Sequence, residues 1–539
     1  MRKMFFLVFG ILLLGFVSAG WSDEHEVVQW QFDVNYPVAN TGPNGDLYVI
    51  YNADFIGSSP AHPQGFRGLV LKRIDRNGNL VLNHTPLVVP NVANSSAGAK
   101  VGKYFDFDID SSGNIYLVWV DYRNTNIFYQ NAEVMFRAYN AYGQPLTSEV
   151  SLPVLNRPVE DSHIRITPQN DLAVTWKELP NTQQPYGDGI YFSKIDFQGN
   201  VVVNKVLVSS SNVNARASDM EVDSQGNTHV VWSDNTRDVR YGKVNPNGNV
   251  LVSDMLITTP DPDPNIFKYS AKVEIDGNDV PFIFYEWRNS THPDYYHNAY
   301  EVVKLDNNNV VHLNRWRNGI YAVSQSPEFE IDEHYLNVIA KEYEFDYMWK
   351  TKYYQMDHEG NLLADELVEI VPNGAVFFAY SALTIDNDGY PNLFSRTYTG
   401  NFIPRIIHRS RSPMSLEWSG SPNLGGTIFF DMGNKFRQGV NYIMALSLGN
   451  TGINVGDGRV IPIDADQLYY WSVDGVNTPK IGLNPGPGVL DSSGNAQASL
   501  VIANNSMLSN ETFYAAFVTI NSQTGSILDI SDSVEIHIG

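Results

Sequence analysis

His163 and Arg165 stand two residues apart in the run Ser162-His163-Ile164-Arg165-Ile166, and the same polar alternation recurs along the chain. One set of aligned positions reads Val38, Asp106, His163, Asp219, Lys272, Glu328 and Ala382. The set two residues further on reads Asn40, Asp108, Arg165, Glu221, Glu274, Glu330 and Thr384. In an extended chain, side chains at i and i+2 share a side, so both sets face one way, opposite Phe107, Ile164, Met220, Val222, Phe329 and Leu383. Charges are seldom buried unpaired, so that side must meet solvent or pair across neighbouring strands. Carboxylates beside an imidazole, a guanidinium and an ammonium can act as acid and base or hold Ca²⁺; they can equally form a hydrated, ion-paired wall. The candidate catalytic residues are His163, Arg165, Asp106, Asp219, Glu221 and Glu328. His163 is the only histidine in either set. Asp106 and Asp219 are expected to flank it and raise its pKa, which suits it to donate a proton or hold an anionic sugar.

A second constellation joins tryptophan, acid and arginine: Trp119-Val-Asp121-Tyr122-Arg123, Trp232-Ser-Asp234-Asn-Thr-Arg237 and Glu286-Trp287-Arg288. Arginines converging from three places can clamp a carboxylate. Recurrence at equivalent positions points instead to ion pairs that serve each repeat. Connections rich in Tyr and Trp, among them Tyr122, Tyr129, Tyr186, Trp287, Tyr295 and Tyr296, offer surfaces on which sugar rings stack. The candidate ligand-binding residues are therefore Tyr122, Arg123, Arg237, Trp287 and Arg288. Metal motifs are weak: there is no HExxH and no EF-hand loop, and Asp261-Pro-Asp-Pro-Asn265 reads as a Pro-rigid loop.

These residues must be carried by strands, because β-rich stretches break at short Asp/Asn-Gly turns with a period of about 55 residues. One series of turns includes Asp110-Ser-Ser-Gly-Asn114, Asp223-Ser-Gln-Gly-Asn227 and Asp276-Gly-Asn278. A second, some 30 residues on, includes Asp196-Phe-Gln-Gly-Asn200, Asn245-Pro-Asn-Gly-Asn249 and Asp357-His-Glu-Gly-Asn361. Two hairpin turns per repeat mean four strands, the grammar of a β-propeller blade. The count reads as seven blades, with six or eight as alternatives because the last repeat lacks a clear second turn. The orphan strand Glu26–Asp33 is expected to complete the last blade and close the ring. The polar rings above then line the innermost strands, around the channel. The two tight hairpins of each blade share one face of the disc, which leaves the longer connections on the other.

Segments such as Phe107-Asp-Ile-Asp-Ser-Ser-Gly-Asn-Ile-Tyr-Leu-Val-Trp-Val-Asp121 and Met220-Glu-Val-Asp-Ser-Gln-Gly-Asn-Thr-His-Val-Val-Trp-Ser-Asp234 resemble the repeats of secreted bacterial and archaeal propellers of the sialidase-like and DxxGN types. The resemblance covers residues 36 to about 410 and implies the fold. The turn spacing here is Asp-x-x-Gly, not the Ser-x-Asp-x-Gly-x-x-Trp of the sialidase Asp box, so no catalytic residue carries over.

Met1-Arg2-Lys3, the apolar run Met4–Val17 and Ser18-Ala19-Gly20 read as a signal peptide, residues 1–19, cut near Ala19. The propeller is expected over 20–412 and a β-sandwich over 424–539, where the spacing changes after Ser419-Gly-Ser-Pro-Asn-Leu-Gly-Gly426. Leu468–Ser472 reads there as a strand. The chain has no cysteine and a formal charge of -23, which argues against disulfides, thiol chemistry, nucleic acid and anionic membranes as partners. The primary expectation is a secreted propeller that binds a glycan or an extracellular protein. The alternatives are a carbohydrate-active enzyme, either a sialidase-like glycoside hydrolase or a polysaccharide lyase, and a structural part of an extracellular assembly. No cofactor is called beyond Ca²⁺ as an option.

Overall fold

The computed structural model describes residues 25–539 apart from 30–32, 56–65, 76–79, 89–100, 122–131, 155–157, 180–188, 211–214, 235–237, 259–265, 290–296, 307–308, 318–326, 333–334, 344–348, 372–380, 388–390, 399–403, 411–413, 435–438, 455–459, 475–477, 493, 521–526 and 532. The described chain is almost entirely β-strand. Up to Ser410 it forms seven four-stranded antiparallel sheets, six of them built from strands in chain order. Their innermost strands are Asp33–Thr41, Val101–Ile109, Val159–Ile166, Arg216–Val222, Ile266–Ile275, Glu328–Ile331 and Ser381–Ile385. Each of these contacts the next, and the last contacts the first, so the sheets stand as propeller blades around a closed ring. Blades are numbered here from one (Asp33–Val88) to seven. Blade seven takes its outermost strand from the N-terminal side: His25–Gln29 pairs antiparallel with Pro404–Ser410, as expected for the orphan strand.

The sequence pattern explains the layering. In blade three the middle strands Leu172–Glu178 and Gly189–Ile195 are buried throughout, because a blade is covered by a neighbour on each face, whereas no residue of the outer strand Val201–Leu207 is fully buried. Cores form between blades. Val118 and Phe136 of blade two pack with Ile164, Val174 and Trp176 of blade three. The turn glycines serve the same contact: Gly199 takes φ 87°, and a β-carbon there would lie 2.9 Å from the Phe136 ring of blade two. The turn aspartates are saturated locally. Asp110 accepts bonds from the Ser112 and Asn114 amides, the Asn114 side chain and the Tyr116 hydroxyl at 2.8 to 2.9 Å.

Beyond residue 413, two sheets face each other. Met414–Gly420, Thr427–Asn434, Asn495–Val501 and Leu483–Asn484 form one. Pro487–Val489, Asn441–Ser447, Thr512–Ile520, Ile527–Ile530 and Val534–His537 form the other. Ile428, Phe430 and Met432 from the first meet Met444, Phe513 and Phe517 from the second in one apolar core. Strand pairing carries this unit back to Met414, because Met414–Gly420 and Thr427–Asn434 are its first two strands and residues 421–426 are the hairpin between them. Leu468–Ser472 is a second correction. It lies in a helix, Gln467–Val473, although Tyr and Trp favour strands. Asp466 caps the helix by accepting from the Tyr469 amide, and Ser472 anchors it by accepting from the Leu446 amide at 2.9 Å. Trp287 and Arg288 are a third: Pro281–Asn289 is a continuous strand that pairs on both sides, so neither residue sits in a loop.

Candidate functional site

The innermost strands break register near their starting ends. Breaks fall between Asn35 and Val38, Glu160 and His163, Arg216 and Ser218, and Tyr269 and Lys272. Asp161 and Ser270 there adopt left-handed φ of 48° and 52°. Such bulges re-aim the side chains that follow, here His163, Asp219 and Lys272, which project along the channel wall.

His163 Nδ1 lies 3.6 Å from Asp106 Oδ2 and 3.7 Å from Asp219 Oδ1, so carboxylates flank it from blades two and four. Its Nε2 is buried and has no hydrogen-bond partner among the described residues. Arg165 bridges blades in the same way, 2.7 Å from Asp106 and 2.8 Å from Glu221. Lys272 Nζ is 3.1 Å from Glu328. The structure therefore brings His163, Arg165, Asp106, Asp219, Glu221 and Glu328 together around one channel.

Three of the acids also do a structural task. Asp106 accepts from the Ile164 amide at 3.3 Å, Asp108 from the Ile166 amide at 2.7 Å and Asp219 from the Val273 amide at 3.0 Å. Each of these donors belongs to the innermost strand of the next blade. Neighbouring innermost strands share no β-ladder, so these carboxylates satisfy amides that would otherwise lie unpaired in the channel wall.

The second ring lines a cavity of about 400 Å³ at the end of the channel nearer the tight turns. Asn40, Asp108, Arg165, Glu221, Glu274 and Glu330 form its wall, and the first turns of blades four and five, with Asp223, Ser224, Asp276, Gly277 and Asp279, form its rim. Glu274 and Glu330 matter more here than the six catalytic candidates suggested. They belong to the polar alternation, and their distinguishing signal is the lack of a base to face them.

Electrostatics separates these groups. Burial works against ionisation of Asp106, but Arg165 and His163 outweigh it and hold the carboxyl well below its usual range. Burial alone would pull His163 down, yet the hydrogen bond to Asp106 and the charges of Asp219 and Asp106 raise it. Lys272 is raised by Glu328 and Asp219 against the effect of burial. The cavity carboxyls move the other way. Burial raises Glu221 despite Arg165, burial with Glu330 and Glu221 raises Glu274 strongly, and burial with Glu221 and Glu328 pushes Glu330 up to about 8. Burial thus shifts the Glu330 carboxyl towards its protonated form, while the neighbouring cations hold Asp106 as a carboxylate.

The candidate ligand-binding residues are less informative. Tyr122, Arg123 and Arg237 lie outside the described residues. Trp287 is half-buried, in register with Lys268 and Ala299, and Arg288 stands opposite Phe267 and Asn298. Two tryptophan–acid pairs are internal to their blades: Trp119 Nε1 donates to Asp121 at 3.0 Å and Trp176 Nε1 to Glu178 at 3.1 Å, whereas the buried Trp232 Nε1 has no hydrogen-bond partner among the described residues. For Ca²⁺, the described residues contain no group of three or more His, Asp or Glu able to hold a metal ion. No helix among them is long and apolar enough to cross a membrane.

No family model matches this sequence, and no curated protein matches it. Solved structures are similar in fold. An ulvan lyase of polysaccharide lyase family PL25, bound to -[GlcA(1-4)Rha3S]-, shares 12% identity with a TM-score of 0.45, over 73% of this chain and 94% of that one. An α-L-arabinanase from Penicillium chrysogenum, complexed with arabinobiose, shares 12% identity with a TM-score of 0.37, over 74% and 98%. A hydrazine synthase from Kuenenia stuttgartiensis shares 11% identity with a TM-score of 0.41, over 70% and 97%.

Proposed function

We propose that this protein is a secreted carbohydrate-active enzyme that cleaves a glycosidic bond by acid–base chemistry in the channel. One observation carries the reading: a single cavity brings Glu330, whose carboxyl is pushed up to about 8, together with Glu221, raised by burial but opposed by the Arg165 guanidinium at 2.8 Å. Glycoside hydrolysis needs that division of labour, one carboxylic acid to protonate the leaving oxygen and one carboxylate to act as base or nucleophile. A cavity of about 400 Å³ is also in the range that holds a small ligand. The protein-binding and purely structural alternatives have no use for a proton-bearing acid in a cavity.

A second reading has its own support. The buried but unpartnered Nε2 of His163, with Nδ1 flanked by two carboxylates, resembles the arrangement of a general base, as a polysaccharide lyase requires. Lyase action on a uronate also needs a cation for the substrate carboxylate, and Arg165 and Lys272 are both engaged by glutamates or aspartates. Hydrolysis is therefore preferred. The test is a screen of neutral, amino and acidic glycans that follows new reducing ends and, separately, the absorbance of an unsaturated product. New reducing ends without unsaturation support hydrolysis, and unsaturated product establishes the lyase reading. Glycan binding with neither signal would reduce the protein to a lectin-like binder.

A further inference from the structure

Blade four departs from its neighbours at two repeated positions. In blades two and three the core tryptophans donate to an acid two residues on, Trp119 to Asp121 and Trp176 to Glu178. The equivalent acid of blade four, Asp234, accepts from the Asp238 amide and from Arg240, and Trp232 Nε1 is left buried without a hydrogen-bond partner among the described residues. Ser162 and Ser218 each precede the channel residue of their strand, His163 or Asp219. Ser162 donates to the Tyr104 carbonyl of blade two at 3.3 Å, whereas Ser218 Oγ has no partner among the described residues. Thr175 Oγ1 and His163 Nε2 are two further buried polar atoms with none.

These four atoms share one interface. Ala173, Ile190 and Phe192 of blade three pack in one core with Met220, Val230 and Trp232 of blade four. Thr175 stands opposite Phe192 on one side of its strand and opposite His163 on the other, so Thr175 and His163 both take the face turned to blade four. His163 reaches Asp219 of that blade at 3.7 Å. Ser218 stands opposite Trp232 and two residues before Met220, and so takes the face turned to blade three. Within each opposed pair the β-carbons are about 5 Å apart. Thr175 and Trp232 are 0% exposed and Ser218 is 7% exposed. A buried polar atom without a partner bears its full desolvation penalty, and four of them meeting between two blades point to an occupant.

The donor set selects that occupant. Trp232 Nε1 only donates, the two hydroxyls turn to donate or accept, and His163 Nε2 does either according to its protonation. A metal ion cannot accept the tryptophan N–H. A halide can, but Asp106 and Asp219 flank the same imidazole and repel it. Water accepts and donates, and three or four bonds to buried polar groups are its usual complement.

We propose that a buried water molecule joins blades three and four, accepting from Trp232 Nε1 and bonding Thr175 Oγ1, Ser218 Oγ and His163 Nε2. The imidazole is thereby held from behind, with Nε2 committed to the blade interface and not to a substrate in the channel. The inference rests on blade packing and not on the glycan reading. It leaves hydrolysis by the cavity acids untouched and takes from the lyase reading its general base.

Two measurements test it. Crystals of the whole protein grown in bromide should show one solvent peak within hydrogen-bond distance of all four atoms, with no anomalous signal there. A bromide peak, or side chains turned to other partners with no density between them, would overturn the proposal. In denaturant unfolding, Thr175→Val keeps the branched shape and removes only the hydroxyl. It should lower the folding equilibrium constant by about tenfold, and Ser218→Ala should act in the same direction. A hydroxyl that bonds nothing has the opposite sign, so unchanged or higher stability in Thr175→Val would sink the idea. The Thr175→Val/Ser218→Ala double variant should lose clearly less than the two single losses multiplied, because both act on one water. Losses that multiply in full would show two independent sites and would also overturn it.

Discussion

Asp110 in a hairpin turn and Glu330 in the channel carry the same functional group and are displaced in opposite directions. At Asp110, Asp196, Asp223 and Asp357 the turn wraps each carboxylate in amide and side-chain donors, which outweigh burial where there is any and lower the pKa. At Glu221, Glu274, Glu328 and Glu330 burial prevails over the available cations, and the pKa rises. The turns repeat blade after blade, whereas the inner strands diverge. Local saturation makes a structural acid that every blade can reuse, while burial in the channel raises acids even where a cation faces them, as at Glu221 and Glu328.

The largest test of that contrast is Glu330→Gln. Turnover of the cleaved glycan should fall by about 10²- to 10⁴-fold, the usual worth of a general acid. In the parent protein kcat should decline on the alkaline side with an apparent pKa near 8, because the acid must be protonated to work. The linkage has a definite sign. The folded state keeps the Glu330 proton after an unfolded glutamate, with its ordinary pKa of 4.5, has lost it, so this group makes stability fall as pH rises from about 4.5 through 8. Thermal melts across that range should show a shallower decline in the glutamine variant. Full activity in the variant would place the acid elsewhere.

His163→Ala tests whether a channel residue can also be structural. Removing the imidazole leaves Asp106 and Asp219 facing each other, and the expected loss is about 1–3 kcal/mol in denaturant unfolding. The pKa of His163 is raised, so its stabilisation is complete below the ordinary value of 6.5 and disappears as pH rises through the raised value. The variant should therefore be further below the parent at pH 5.5 than at pH 9. A pH-independent deficit would mean that His163 contributes packing and not charge.

The fold was legible because its signals are local and periodic: Asp-x-x-Gly turns, β-branched runs and alternating polarity each need only neighbours in sequence. The alternation even placed His163 between Asp106 and Asp219, since register follows from counting back from a turn. Two features lay beyond that reach. Pairing partners across blades decide which acid is satisfied, so Glu274 and Glu330 looked no different from Glu328 until Lys272 was seen to turn to only one of them. The helix Gln467–Val473 likewise depends on the Asp466 cap and on Ser472 reaching Leu446, contacts that outweigh the strand preference of Tyr469, Tyr470 and Trp471.

A smaller effect is expected at the turns, where activity should not change. Asp110→Ala removes the acceptor of four hydrogen bonds, three of them partly buried, and should cost about 1–2 kcal/mol. The lowered pKa means that this contribution is present above the ordinary value of 3.8 and is lost as pH falls further.

The smallest effect is predicted for the same substitution in the second turn of blade six. Asp357 accepts the equivalent bonds from the Glu359 and Asn361 amides and the Asn361 side chain, at 2.7 to 3.1 Å, but all of them lie exposed. Water can replace each donor, and among the described residues there is no counterpart to the Tyr116 hydroxyl that bonds Asp110 at 2.9 Å. Asp357→Ala should therefore shift stability by roughly 0.5 kcal/mol or less, measured by the same denaturant unfolding. Equal losses at Asp110 and Asp357 would show that the turn geometry itself sets the worth of the motif. A clear excess at Asp110 would show that shielding does, and shielding without donors is what distinguishes Glu330 from every turn aspartate.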